Sequence, residues 1–331
     1  MKTSSLPGGA ARLLVAFVAV GIAALLFPHA AHAWTPGTHI YLGETVLGNL
    51  GRLPGGVAEL LRSFPYDFLY GNIAADSSLA KRYAPVGRHC HYWHVGQEIY
   101  DLADEAALRA FGWGYLCHLA ADTVAHNYFV PRQLVLTSST ASWGHSYWES
   151  RVEVHLGDAY ARRARDVILL DHRQADAHLD RIISPTIFSV RTNRRLFRGM
   201  VHLTETQGWQ RGMQVARERS RWDLTDADVE LHLARSYDFM MALLGEAEPA
   251  TRRLDPSGEM PLRTAKAIRR EALREGARKE GRLPEIAEQH FGLPSLPSPY
   301  WATQSERLPW NAEDPLALKP FARLNLRRQT S

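Results

Sequence analysis

A carboxylate placed between two histidines in an apolar segment constrains this chain more than any other feature. His118, Asp122 and His126 recur at intervals of four in Cys117-His118-Leu119-Ala120-Ala121-Asp122-Thr123-Val124-Ala125-His126. On an α-helix, four residues advance about 40° beyond one turn, so the three side chains leave one face. Their neighbours are Ala, Leu, Val and Cys, which points that helix toward the interior. A carboxylate buried there is costly unless something cationic pairs with it. Two imidazoles and a carboxylate on one edge form a chelating set for a metal such as zinc. The alternative, a polar face with chance histidines, fits poorly with those apolar neighbours.

Other ligand types lie close by in sequence. His145 and Glu149, in His145-Ser146-Tyr147-Trp148-Glu149, also share a helix face, although such a pair alone reads equally well as a cap or an ion pair. Asp76 ends Gly71-Asn72-Ile73-Ala74-Ala75-Asp76 and is expected to start a loop. His89, His91 and His94 form a cluster that is too crowded to bind one ion as a set. His91 is the chosen ligand, with His89 and His94 as outer or exposed residues.

The N-terminus supplies a further pair. Lys2 and Arg12, the uncharged run Leu13 to Phe27 and the small-x-small site Ala31-His32-Ala33 read as a cleaved signal peptide over 1–33. The alternative, a membrane anchor, needs roughly 20 apolar residues, and the run is shorter. Cleavage after Ala33 makes Trp34 the first residue, with an α-amino group and carbonyl that can chelate a metal. His39 follows within a turn or so. The expected destination is the periplasm or the extracellular space.

The remaining pattern is helical. Apolar residues fall at helical spacing over Ile40 to Leu50, Val57 to Phe64, Ala106 to Phe129, Glu149 to Leu170, Asp176 to Ile183 and Asp226 to Gly245, with no sustained alternation. The expected class is all-α, with one catalytic domain over 34–245. The longest segment should bury a face through Leu108, Phe111, Tyr115, Leu119 and Val124. Beyond Glu246 the composition shifts. Pro249 to Pro261 reads as a linker, Arg263 to Arg282 as a solvated helix and Pro294 to Ser331 as an irregular Pro-rich tail. No separate function is assigned to 246–331.

The 39 basic and 35 acidic residues leave +4, and removing Lys2 and Arg12 reduces this to +2. Such a balance gives no strong steering toward nucleic acid, so no stable nucleic-acid complex is expected. No later segment reads as membrane-spanning, and the oligomeric state is not legible. Two cysteines, Cys90 and Cys117, cannot form a disulfide framework. Each adjoins a candidate ligand. A single bridge between them, two buried thiols and direct zinc ligation all remain open.

Taken together, Trp34, His39, Asp76, His91, His118, Asp122, His126, His145 and Glu149 resemble, in order, the motifs of the zinc-dependent phospholipase C family. That family includes bacterial phosphatidylcholine-preferring phospholipases C, the alpha-toxin catalytic domain and glycosylphosphatidylinositol-specific phospholipase D. The resemblance implies an all-α fold and up to three zinc ions. Trp34, His39 and Asp122 would hold the first. Asp76, His91, His118 and the shared Asp122 would hold the second, and His126, His145 and Glu149 the third. It also makes Asp76 the candidate catalytic base or orienter. One departure is the spacing of four before His126, which is longer in the bacterial phospholipases and has a proline before the histidine. Another is the lack of a recognisable lipid-binding β-sandwich.

The expected activity is zinc-dependent phosphodiester hydrolysis of phospholipids at a membrane surface. Two other readings stand beside it: a phosphoesterase like the single-strand-specific zinc nucleases, and a zinc-binding protein without turnover. Tyr92, Trp93, Trp113, Tyr128, Trp143, Tyr147 and Trp148 cluster near the motifs, either as a wall for acyl chain or headgroup or as ordinary core. The exported chain is expected to begin at Trp34. N-terminal sequencing checks this, and a different start with full activity overturns the role of the Trp34 amine.

Overall fold

The computed structural model describes residues 34–303 apart from 138–140, 246–248 and several positions within 205–221. The expected signal segment 1–33 and the chain end 304–331 lie outside the described residues. Among the described residues the secondary structure is helical, with no strand, so the chain is all-α. No described helix is long and apolar enough to cross a membrane.

The N-terminal helices start where local chemistry dictates. Thr35 caps α1 (Pro36–Gly48), its hydroxyl accepting from the Thr38 amide, and Pro36 takes a first-turn position where a missing N–H costs nothing. After α2 (Gly55–Ser63), Pro65 opens α3 (Pro65–Ala74), which tightens into a 3-10 turn over Ala75–Ser77. Asp76 therefore lies in a helical turn that extends α3, not at the start of a loop. α4 (Trp93–Asp101) follows His89 and His91 and carries His94 in its first turn.

The centre of the molecule is α5 (Ala106–Val124), in which almost every residue from Leu108 onward is buried. The expected one-sided apolar face is thus too narrow a description. The helix is enclosed by α3, α4 and α11 (Asp226–Gly245), and a helix apolar on all sides is one that runs through a core. At Ala125 the α5 geometry widens into a π-helical turn, Ala125–Phe129, before α6 (Val130–Thr137). Such a turn leaves α-helical carbonyls without their usual donor. Here the Asn127 side-chain amide donates to the Thr123 carbonyl at 2.7 Å. The expected single helix Ala106 to Phe129 is therefore an α-helix that changes register at its second histidine, His126.

The segment expected as one helix from Glu149 to Leu170 is two helices, α7 (Ala141–Leu156) and α8 (Asp158–Ile168). Gly157, at φ 83°, divides them in a conformation other residues rarely adopt. They are followed by α9 (Arg173–Ile182) and α10 (Val190–Thr204). The C-terminal part also packs onto the domain. α12 (Glu259–Arg274) and α13 (Leu283–Phe291) lie against α6. The helix expected over Arg263 to Arg282 is exposed along most of its length as read, but it ends at Arg274 and buries one stripe, Ala265, Arg269 and Ala272. The Arg269 guanidinium donates to the Val135 and Thr137 carbonyls, which α6 leaves open at its end. Farther on, Asp238 accepts from the Tyr300 and Trp301 amides at 2.9 and 2.8 Å, wrapping the irregular segment onto α11.

α3 and α5 cross at unusually short range through a pair of glycines. A β-carbon on Gly114 would stand 2.0 Å from the Phe68 carbonyl oxygen, and one on Gly71 2.1 Å from the Phe111 carbonyl oxygen. Both obstacles are backbone, so neither can swing aside. This crossing sets the distance between Asp76, just past α3, and His118, on α5. Gly114→Ala is expected to cost ~2–3 kcal/mol or more through overpacking. A melting temperature lowered by roughly 5–10 °C in a thermal scan would show it, and an unchanged melting curve would contradict the crossing.

Candidate metal centre

Asp122 is fully buried on α5 and is flanked by three imidazoles. Its Oδ1 lies 3.2 Å from His39 Nε2 of α1, and its Oδ2 lies 3.1 Å from both His91 Nε2 and His118 Nε2. The two histidine nitrogens are themselves 3.1 Å apart. Asp76 Oδ1 completes the group at 3.4 Å from His91 and 3.9 Å from His118. Ligands about 2.0–2.1 Å from a tetrahedral zinc stand roughly 3.3 Å from one another, and the spacing here is close to that edge length. The ligand atoms of His39, Asp76 and His118 form a second close set, all within 4.8 Å.

The proton inventory explains why this group calls for a cation. His118 Nδ1 faces the Asn72 carbonyl at 2.7 Å, and His126 Nδ1 faces the Pro256 carbonyl at 2.6 Å. A carbonyl only accepts, so each Nδ1 carries a hydrogen and each Nε2 is turned toward the centre. Burial and the neighbouring His118 push His39 down to about 4, and burial pushes His126 down to about 4, so both are neutral near pH 7. His39 Nδ1 makes no hydrogen bond, Nε2 faces Asp122 Oδ1, and the ring stacks on His118 with centroids 3.9 Å apart. Burial opposes a charge on Asp122, yet His118, His39 and His91 hold its carboxyl well below the usual range. Imidazole nitrogens and carboxylate oxygens therefore converge in the buried interior, a donor set that fits zinc.

The remaining expected ligands lie around this core. The His126 ring is buried on the π turn, 6.4 Å between centroids from the His91 ring and outside the tightest sets. Glu149 is buried on α7, where desolvation and the charges of Asp76 and Asp122 push its carboxyl well above the ordinary range. His145 belongs to α7, but its side chain lies outside the described residues, as does that of Trp143. Trp34 is fully buried, and its indole N–H points at the Ala121 carbonyl (3.1 Å) and the Ser236 hydroxyl (3.2 Å). That anchors residue 34 to the helix turn that presents Asp122. Of the histidine cluster, His91 is buried, His89 half-buried and His94 exposed. The cysteines are both buried thiols without a bridge, and Cys90 Sγ lies 3.2 Å from His91 Nδ1. Among the aromatics, Trp148 is core, while Tyr92, Trp93, Trp113, Tyr128 and Tyr147 pack half-buried against it.

Sequence reading missed several contributors. Lys81, 6% exposed, donates to Asp76 Oδ1 at 2.9 Å and reaches His91 Nε2 at 3.2 Å. The presumed linker supplies the Pro256 carbonyl. Gly258 of the same stretch is needed at φ 67°, where a β-carbon would meet the His126 ring at 2.7 Å. Nothing in the composition of 249–261 distinguishes it from an ordinary linker.

Residues 38–192 match the protein family described as zinc dependent phospholipase C. No curated protein and no solved structure matches the chain.

Replacing Asp122 by Asn is expected to remove more bound zinc than His126→Ala, because Asp122 faces both ligand sets and His126 stands at their edge. Elemental analysis of the two purified variants checks this; equal zinc loss would count against a shared carboxylate. Chelation should also lower the melting temperature of the wild-type chain, because it leaves converging acceptors with no cation between them.

Proposed function

We propose, from the premise that residues 38–192 place the chain in the zinc-dependent phospholipase C family, that this protein is a zinc-dependent phosphodiesterase that cleaves phospholipids. The observation that carries the reading is Asp122. One of its oxygens faces His39, and the other faces His91 and His118, which suits a carboxylate shared between two ions. His39 with the α-amino group of a mature Trp34 would hold one ion. Asp76, His91 and His118 would hold the other. His126 and Glu149, with His145, are the proposed set for a third.

When bound, zinc supplies a Lewis acid for phosphoryl oxygens and lowers the pKa of water toward about 7. The chain's own residues do the positioning. The Asn72 and Pro256 carbonyls fix the rings of His118 and His126 so that Nε2 faces inward. Asp76, fully buried beside His91 and His118, is placed to orient a water or hold its proton. The half-buried aromatics Tyr92, Trp93 and Tyr128 offer apolar surface near the histidine motifs, suited to the glycerol or acyl part of a lipid. In this reading the exported chain works at a membrane surface without a spanning helix of its own.

The test is zinc-loaded mature protein on vesicles of defined phospholipids, with the products identified, beside single-stranded DNA. Release of phosphorylated headgroup and diacylglycerol, abolished by chelation and restored by zinc, is the expected result. Cleavage of DNA with intact lipids would replace this reading with the nuclease one. Bound zinc with no turnover of either would leave a metal-binding protein.

A further inference from the structure

Lys81 stands where a divalent ion would also have to stand. Its ammonium donates to Asp76 Oδ1 at 2.9 Å and lies 3.2 Å from His91 Nε2. Asp76 Oδ1 and His91 Nε2 are themselves 3.4 Å apart, so the ammonium lies against the same two candidate ligand atoms that a bound cation would bridge. An imidazole nitrogen has one in-plane lone pair. The same lone pair is the one a zinc ion bound between His91, His118 and Asp122 would need. The ammonium and a divalent ion, both positive, therefore compete for the space between Asp76 Oδ1 and His91 Nε2.

The backbone that delivers this ammonium is itself unusual. Ala80, the residue just before it, has φ 55° and ψ 41°, and it is the one non-glycine residue at positive φ among those described. A side chain seldom tolerates that left-handed conformation, and such outliers concentrate where a group must be aimed. The turn is fastened on both sides: the Tyr83 amide donates to the Ala80 carbonyl at 2.9 Å, and the Thr186 hydroxyl donates to the Leu79 carbonyl at 2.7 Å. Lys81 is thus held pointing into the centre by a strained turn, not carried there by a long exposed stem.

We propose that Lys81 is a built-in cation that occupies the Asp76–His91 edge of the metal-free protein and must be displaced for a divalent ion to bind there. It neutralises Asp76 and holds His91 in its metal-binding rotamer until loading, and it weakens that one binding step. This rests on the metal-centre reading of the site but not on the identity of the substrate.

The experiment titrates zinc chloride into zinc-depleted full-length mature protein by calorimetry with a competing chelator, comparing wild type, Lys81→Met and Lys81→Arg. Lys81→Met is expected to bind one ion about tenfold more tightly or better, with the other steps little changed, while Lys81→Arg keeps the wild-type affinity or weakens it. The melting temperature gained on zinc loading should also be larger for Lys81→Met, because its metal-free form lacks the internal cation. If Lys81→Met folds only with zinc present, that supports the proposal in the same sense. If Lys81→Met binds every ion as weakly as wild type or more weakly, or if it and Lys81→Gln both fail to fold even in zinc, Lys81 is a structural support and the proposal falls. A wild-type protein that takes up no zinc would instead remove the metal-centre reading itself.

Discussion

A negative charge buried away from the surface organises this protein. Asp122 lies in the middle of a helix enclosed on all sides, and its burial is tolerable only because His39, His91 and His118 reach it within 3.1–3.2 Å. Three imidazoles cannot resolve the problem alone. His39 is held neutral by its burial, and the His118 Nδ1 hydrogen is taken by a backbone carbonyl. Much of the architecture follows from bringing these groups together. α1 must bring His39 to one side of α5, the turn before α4 must bring His91 to the other, and α3 must end with Asp76 close by.

That convergence depends on close backbone packing. The crossing of α3 and α5 through Gly71 and Gly114 lets two helices approach until side chains would collide with carbonyls. Without it, Asp76 would stand farther from His118, and the spacing near a tetrahedral edge would be lost. The π turn after Val124 acts similarly at the other end. It changes the register so that His126 faces the Pro256 carbonyl, on a stretch that passes close enough to require Gly258. The irregular C-terminal region is therefore part of the wall around the centre, held down by contacts such as Asp238 with the Tyr300 and Trp301 amides.

That several of these residues meet was legible because histidines and carboxylates spaced for one helix face are restricted in residue type and spacing. His118 and Asp122 sit four apart on an apolar helix, and the family's motif order placed Asp76, His91 and His39 around them. The choice of His91 over its neighbours was harder. It rests on burial, and burial depends on how the turn meets α5. The fold class was legible for a similar reason: helical periodicity without alternation leaves one answer. The break at Gly157 could not be separated from a continuous helix, because the buried positions Val152, Leu156, Tyr160 and Ala164 recur every four residues across it. Arg263 to Arg282 was read as solvated because long basic side chains are usually exposed. Arg269 instead buries its stem and caps the carbonyls at the end of α6.

What the sequence determined by itself was the chemistry on offer: an all-helical chain, an interior carboxylate, and histidines at intervals that a helix turns to one side. These are local properties, set by periodicity and by the cost of burying charge. What only the tertiary structure decided was which groups from distant segments share the space. Lys81 was one basic residue among 39 until a left-handed Ala80 turned it toward Asp76 and His91. Proton positions on the imidazoles were equally undetermined until carbonyls of Asn72 and Pro256 came within 2.6–2.7 Å of them. The physical reason is the same in each case. A hydrogen bond or a shared ligand atom depends on distances of a few ångströms between residues far apart in the chain, and no spacing along the sequence encodes such a distance.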